Sequence, residues 1–146
     1  MGVNALRKST FDQKRKICIL SPVINEGVGE AEVDLSVSQS YRIANLPEDS
    51  LIVNAYIWTK GVSDAATSAA VTLGTTEGGT QIMTAGNLKA AGKSGTFTGV
   101  SDTGSGVPVW FNATITGAST NVGEYVVIVE YIEYTLKTGE YTNVNA

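Results

Sequence analysis

Apolar residues along this chain recur at every second position, in short bursts separated by Gly-, Ser- and Thr-rich stretches. ICILSPVI (17–24) is a buried-type run broken by Pro22. EVDLSVS (32–38) alternates and places Val33, Leu35 and Val37 on one face. LIVNAYIWT (51–59) follows the turn LPEDS, with Leu51, Val53, Ala55 and Ile57 on one face and Ile52, Tyr56 and Trp58 on the other. AAVTLGT (69–75) and TQIMT (80–84) flank TEGG, a hairpin signal. VPVWFNATIT (107–116) aligns Val107, Val109, Phe111, Ala113 and Ile115, with Trp110, Asn112 and Thr114 opposite. EYVVIVEYIEYTL (124–136) sets Tyr125, Val127, Val129 and Tyr131 against Val126, Ile128, Glu130 and Ile132. AGNLKAAG (85–92) is the single helical candidate. Closely spaced strands with Gly-rich turns predict an all-β fold: a sandwich, jelly roll or barrel.

The strand 124–136 is apolar on both faces, and Tyr56, Trp58 and Trp110 stand on second faces that alternation assigns away from the core. They mark a candidate oligomer or ligand surface, against the plainer reading of ordinary sheet residues.

Composition narrows the function classes. The 146 residues fit one domain with a sizeable core, and charged residues, at 16%, fall below the usual quarter. There is no histidine, which removes Ser-His-Asp and Cys-His catalysis, histidine-ligated zinc and imidazole acid–base chemistry. Cys18 is alone, so neither a Cys-rich zinc site nor an internal disulfide is expected. Only isolated carboxylates remain as general bases, and neither enzyme activity, a cofactor nor a metal is expected. No apolar run approaches a membrane span, and no signal peptide is expected, because no apolar core precedes position 17.

Charge divides the chain. Residues 1–16 hold Arg7, Lys8, Lys14, Arg15 and Lys16 against Asp12, a side-chain charge of +4. The other 130 residues carry five basic and thirteen acidic groups, −8. This predicts a basic N-terminal arm (1–16) on a single β-sandwich domain (17–146), the arm meeting an acidic partner or remaining a solvated tail. An acidic protein surface suits it at least as well as nucleic acid, since Phe11 is the only aromatic residue in the arm.

Four motif matches carry little. In AGNLKAAGKSG (85–95) the glycines Gly86 and Gly92 stand one residue too far apart for a phosphate-binding loop, and no helix follows Ser94. Asp102-Thr103-Gly104-Ser105 matches the aspartic-protease tetrapeptide, but Gly- and Ser-rich flanks predict a turn in which Asp and Gly supply Asx and positive-φ geometry. Glu30, Glu32 and Asp34 alternate as a solvated strand face rather than a calcium site. Asn112-Ala113-Thr114 is a glycosylation triplet inside a strand.

Three segments resemble the small β-sandwich head decoration, or cement, proteins of tailed bacteriophages. The matching residues are Pro47, Ile52, Ala55 and Ile57 in the first segment; Leu73, Gly74, Thr75 and Thr76 in the second; Gly123, Val127, Val129, Glu130 and Tyr131 in the third. The resemblance covers roughly residues 40–135 and rests on loose β patterns; the N-terminal segment departs from it. It implies a jelly-roll-like sandwich on the outer surface of an icosahedral virion assembled in the host cytoplasm. The implied partner is the major capsid protein, whose shell it would stabilise, and a homo-oligomer (dimer or trimer) is expected on a symmetry axis. The alternative is a phage head-fibre or a carbohydrate- or host-surface-binding module, with Tyr56, Trp58 and Trp110 as its aromatic platform.

Overall fold

The computed structural model describes residues 16–20, 22–26, 32–120 and 122–134. Among these residues there are strands and turns and no helix. The strands are β1 (Lys16–Leu20), β2 (Val23–Glu26), β3 (Glu32–Val33), β4 (Gln39–Leu46), β5 (Ser50–Gly61) and β6 (Ser68–Gly74). They continue as β7 (Met83–Asn87), β8 (Gly92–Ser94), β9 (Thr96–Phe97), β10 (Ser101–Asp102), β11 (Val107–Thr116) and β12 (Gly123–Glu133). Sheet A has β10-β5-β12-β2-β3 as its path, with β1 also on β12 and β8 also on β5; sheet B runs β4-β11-β6-β7-β9.

The pairings describe one long hairpin rolled into a sandwich. β6 pairs with β7 at its apex, then β5 with β8 and β10, then β4 with β11, then β1 and β2 with β12. Each pair is antiparallel, and the pairs fall alternately in sheet B and sheet A. Taking β1 with β2 and β8 with β10 as single edges, and setting aside the two-residue edge strands β3 and β9, leaves eight strand positions, four per sheet. That is the jelly-roll order, and it makes the protein an all-β jelly-roll sandwich. The edges are doubled for identifiable reasons. Pro22 has no N–H to donate, so it separates β1 from β2, while its carbonyl accepts from Val127 N at 3.0 Å. Gly95 and Gly99, both at positive φ, flank the crossing from β8 through β9 to β10.

The core lies between the sheets. β5 contributes Ile52, Ala55 and Ile57, and β12 contributes Tyr125, Val127 and Val129. Facing them are Ala69, Val71 and Leu73 of β6 and Val109, Phe111 and Ala113 of β11. The alternation expected in 107–116 and 124–136 is observed, residues 135–136 lying outside the described residues. The faces of β5 differ from expectation. Glu130 pairs with Asn54 but Tyr131 pairs with Ile52, so Val53 is an extra residue. This bulge exchanges the two faces at mid-strand. Ile52 points inward and Leu51 outward, whereas Ala55 and Ile57 point inward as expected.

Three other expectations are corrected. EVDLSVS is a strand only at Glu32–Val33. Beyond it, Asp34 Oδ1 accepts from Ser36 N at 2.9 Å and from Ser36 Oγ at 2.6 Å, an Asx turn that competes with sheet pairing. Leu35 is buried, but Val37 is not. AGNLKAAG forms the end of β7, a turn and the start of β8 instead of a helix. Asn87 Oδ1 accepts from Lys89 N at 2.9 Å, and buried Leu88 donates its N–H to Ala69 O at 2.9 Å. The hairpin around TEGG exists, but β7 begins at Met83, so residues 80–82 are not strand. The connecting loop folds over the outer face of sheet B. Gly79 O accepts from Asn112 Nδ2 at 2.9 Å and Thr72 Oγ1 at 3.0 Å, and Gly78 N donates to Asn112 Oδ1 at 2.8 Å. Gly74 permits this approach: a Cβ there would stand 2.6 Å from the carbonyl carbon and oxygen of Gly79.

Candidate interaction surfaces

Tyr56 and Trp58 project from β5 onto the outer face of sheet A. Strand register fixes their neighbours: Tyr56 lies opposite Ile128 and Trp58 opposite Val126 on β12, and Val126 is in turn opposite Val23 on β2. Tyr56, Val126 and Ile128 are half-buried, while Trp58 (47%), Val23 (48%) and Ile19 (58%) remain open. On the other flank Lys93 of β8 pairs with Trp58 and carries its ammonium 4.6 Å from the Tyr56 ring centroid. At an exposed site such a cation–π contact is worth about 0.5–1 kcal/mol. Polar pairs close both ends of the strip. Asn54 Nδ2 donates to Glu130 Oε2 at 2.9 Å, and Lys60 Nζ pairs with Glu124 Oε1 at 2.5 Å.

Trp110 is elsewhere. It is half-buried on β11 in sheet B, between Arg42 of β4 and Gly74 of β6. With Tyr56 and Trp58 on sheet A, the three aromatic residues expected to form one surface belong to two sheets. The sequence reading missed Ile19, Val23 and Lys93 as members of the sheet A strip. Lys93 could have been suspected, because the segment that imitates a phosphate-binding loop has no helix to serve and must pair as strand. Of the arm residues, Arg7, Lys8, Lys14 and Arg15 lie outside the described residues. Lys16 opens β1, with its backbone opposite Glu133.

The motif matches are structural. Asp102 Oδ1 accepts from Gly104 N at 2.7 Å, the expected Asx turn, and Gly104 has φ 54°. Tyr134 OH donates to Asp102 Oδ2 at 2.7 Å. The Gly104 N–H and then the Tyr134 hydroxyl hold the Asp102 carboxyl below its usual range, and the same bond pushes the Tyr134 phenol up to about 12. Thr103 is buried and ties two turns together: its Oγ1 accepts from Ser50 N at 3.0 Å and donates to Pro47 O at 2.7 Å. Both amide ends of Asn112 are bonded inside the fold, so its glycosylation triplet is closed. The carboxylate of Asp34 serves its Asx turn, while the side chains of Glu30 and Glu32 lie outside the described residues. Asp64 pins the loop before β12: it accepts from Thr120 Oγ1, Thr120 N and Ser119 Oγ, with the Thr120 hydroxyl the main cause of its lowered pKa.

A shallow groove of about 350 Å³ lies between the end of β4 and the start of β11, lined by Arg42, Asn45, Pro47, Glu48, Gly106 and Pro108 among others. Arg42 Nη2 donates to Asn45 Oδ1 there at 2.5 Å, so the guanidinium already has a local partner. Among the described residues no group of three or more Cys, Asp or Glu side chains is placed to hold a metal ion, and no helix is long and apolar enough to cross a membrane. No protein-family model, curated protein or solved structure matches the chain.

Proposed function

We propose that this protein is a capsid decoration (cement) protein, which binds the major capsid protein on the outside of an icosahedral head and stabilises the shell. The observation that carries the reading is where its resembling segments fall. Pro47 to Ile57 enter and form β5, the centre of sheet A; Leu73 to Thr76 end β6 and start the apex loop; Gly123 to Tyr131 are β12. The resemblance therefore follows the framework strands of one jelly roll rather than scattered turns. Such a protein needs no chemistry. It binds the assembled shell in preference to dispersed subunits, and linkage converts that preference into stability, about 2.7 kcal/mol per site at a free concentration of 100 times Kd. The basic residues Arg7, Lys8, Lys14, Arg15 and Lys16 supply a salt-sensitive share of attachment, since exposed charges are screened beyond about 8 Å at physiological ionic strength.

The test is the melting temperature of purified capsids with and without the protein, across a salt series. A rise that survives moderate salt supports cementing. No rise at saturating occupancy rejects it and favours a passive host-surface or glycan module. That second reading rests on Tyr56 and Trp58, because Trp110 belongs to the other sheet.

A further inference from the structure

We propose that the outer face of sheet A packs against the same face of a second copy of this chain. Such self-association belongs to the free protein and does not depend on the capsid reading. Three observations support it. The first is area. β12 is 11 residues long, about 37 Å at ~3.4 Å per residue. Four strand positions at ~4.8 Å add a width of about 19 Å. The β8 and β10 edge is shorter than β12, so the face covers about 600 Å² rather than the full rectangle, within reach of the roughly 800 Å² that each partner gives to a stable interface.

The second is layout. An apolar centre containing Trp58, Val23 and Ile128 is framed at its ends by Asn54–Glu130 and Lys60–Glu124. Apolar centres with polar rims characterise surfaces that close against another protein, and an exposed Trp near the centre is a typical anchor. The third is charge. Among the described residues Lys60 and Lys93 stand against Glu124, Glu130 and Asp102 on this face, a net −1, although residues 17–146 as a whole carry −8. A nearly neutral face meets its own copy with little repulsion, and gains nothing in particular from a strongly basic or acidic partner.

Sedimentation velocity over a concentration series, joined to acrylamide quenching of Trp58 in a Trp110→Phe variant, tests this. The expected result is a concentration-dependent oligomer in which Trp58 becomes shielded as mass increases. Trp58→Glu should raise the dissociation constant about 30-fold or more, the scale of a central interface residue. Val37→Glu, equally exposed but outside this face, should leave it unchanged. If Trp58→Glu loses its folded circular-dichroism spectrum, Val23→Glu carries the same expectation from the opposite flank. A monomer at every concentration overturns the proposal. So does a folded Trp58→Glu or Val23→Glu that still associates as the parent does. A monomer whose Trp58 is shielded even at high dilution also overturns it, and assigns the face to the chain's own terminal segments.

Discussion

Two buried threonines should respond to the same substitution with opposite signs. Thr59 points inward from β5 and is 2% exposed, and its Oγ1 has no hydrogen-bond partner among the described residues. Thr103 is buried to the same extent, but its hydroxyl accepts from Ser50 N and donates to Pro47 O. Valine keeps the shape and the β-branch in each case and removes only the hydroxyl. At position 59 the substitution relieves an uncompensated desolvation of about 1–3 kcal/mol on protein scales. Allowing for imperfect packing of the new methyl group, Thr59→Val should stabilise by about 1 kcal/mol. At position 103 the substitution leaves a carbonyl and an amide without this partner inside a buried turn, which should cost about 2–4 kcal/mol.

For a chain of 146 residues, each kcal/mol moves the melting temperature by about 3–5 °C. Thr59→Val should therefore melt about 4 °C above the parent and Thr103→Val about 10 °C below it. Thermal and guanidinium unfolding of the three proteins, analysed as two-state transitions with a common m-value, measures both. A loss of stability in Thr59→Val would falsify the assignment of its hydroxyl as unpaired. Equal losses at both positions would mean that the hydroxyl is satisfied at both.

Gly74→Ala should destabilise by about 2–3 kcal/mol, because the new Cβ meets the Gly79 backbone and not a movable side chain; hydrogen exchange should show the loss centred on the amide of Gly78, which Asn112 now holds. The carboxyls of Asp34, Asp64 and Asp102 all titrate below 3.8 in the fold, so their contribution is present above that value and is lost as pH falls through the lower folded values. The melting temperature should hold nearly constant from neutrality to about pH 5 and fall below about pH 4, with Asp64→Asn reducing the size of the fall. The Tyr134 phenol, raised to about 12 by Asp102, favours the fold while protonated; that contribution is lost as pH rises through the folded value. Ultraviolet titration should show Tyr134 ionising late, and Asp102→Asn should bring its ionisation to lower pH.

Much of the sandwich was legible because three of its central strands obey simple rules. The bulges opposite β11 and β12 lie in β4 and β5, so β11 and β12 keep one parity: Val109, Phe111 and Ala113 could be grouped on one face, as could Tyr125, Val127 and Val129, and the fold buries both groups. β6 is bounded by the Gly-rich apex, where Gly78 and Gly79 between two apolar runs are enough to mark a hairpin. The misreadings have local causes. Asp34 offered Ser36 a side-chain turn, and Asn87 did the same for Lys89, so a strand was cut short in one place and a helix prevented in the other. β4 escaped notice because its register slips between Val109–Ala44 and Trp110–Arg42, leaving Ile43 extra. Its apolar residues, Tyr41, Ile43, Ala44 and Leu46, therefore keep neither period.

The same effect explains why the surface strip on sheet A was only half visible. Periodicity can rank the two faces of a strand when one is polar, and β5 and β12 are apolar on both. The bulge at Val53 then reverses inward and outward within β5, so that Ile52 enters the core while Tyr56 and Trp58, which share its parity, leave it. Trp110 has the outward parity of its own strand, but β11 belongs to the opposite sheet. Sequence can show that an aromatic residue faces away from the core of its own sheet. Only the rolled connection of the strands decides whether two such residues share a surface. In this protein that order places Lys93, Val23 and Ile19 beside Trp58 and removes Trp110 from the group.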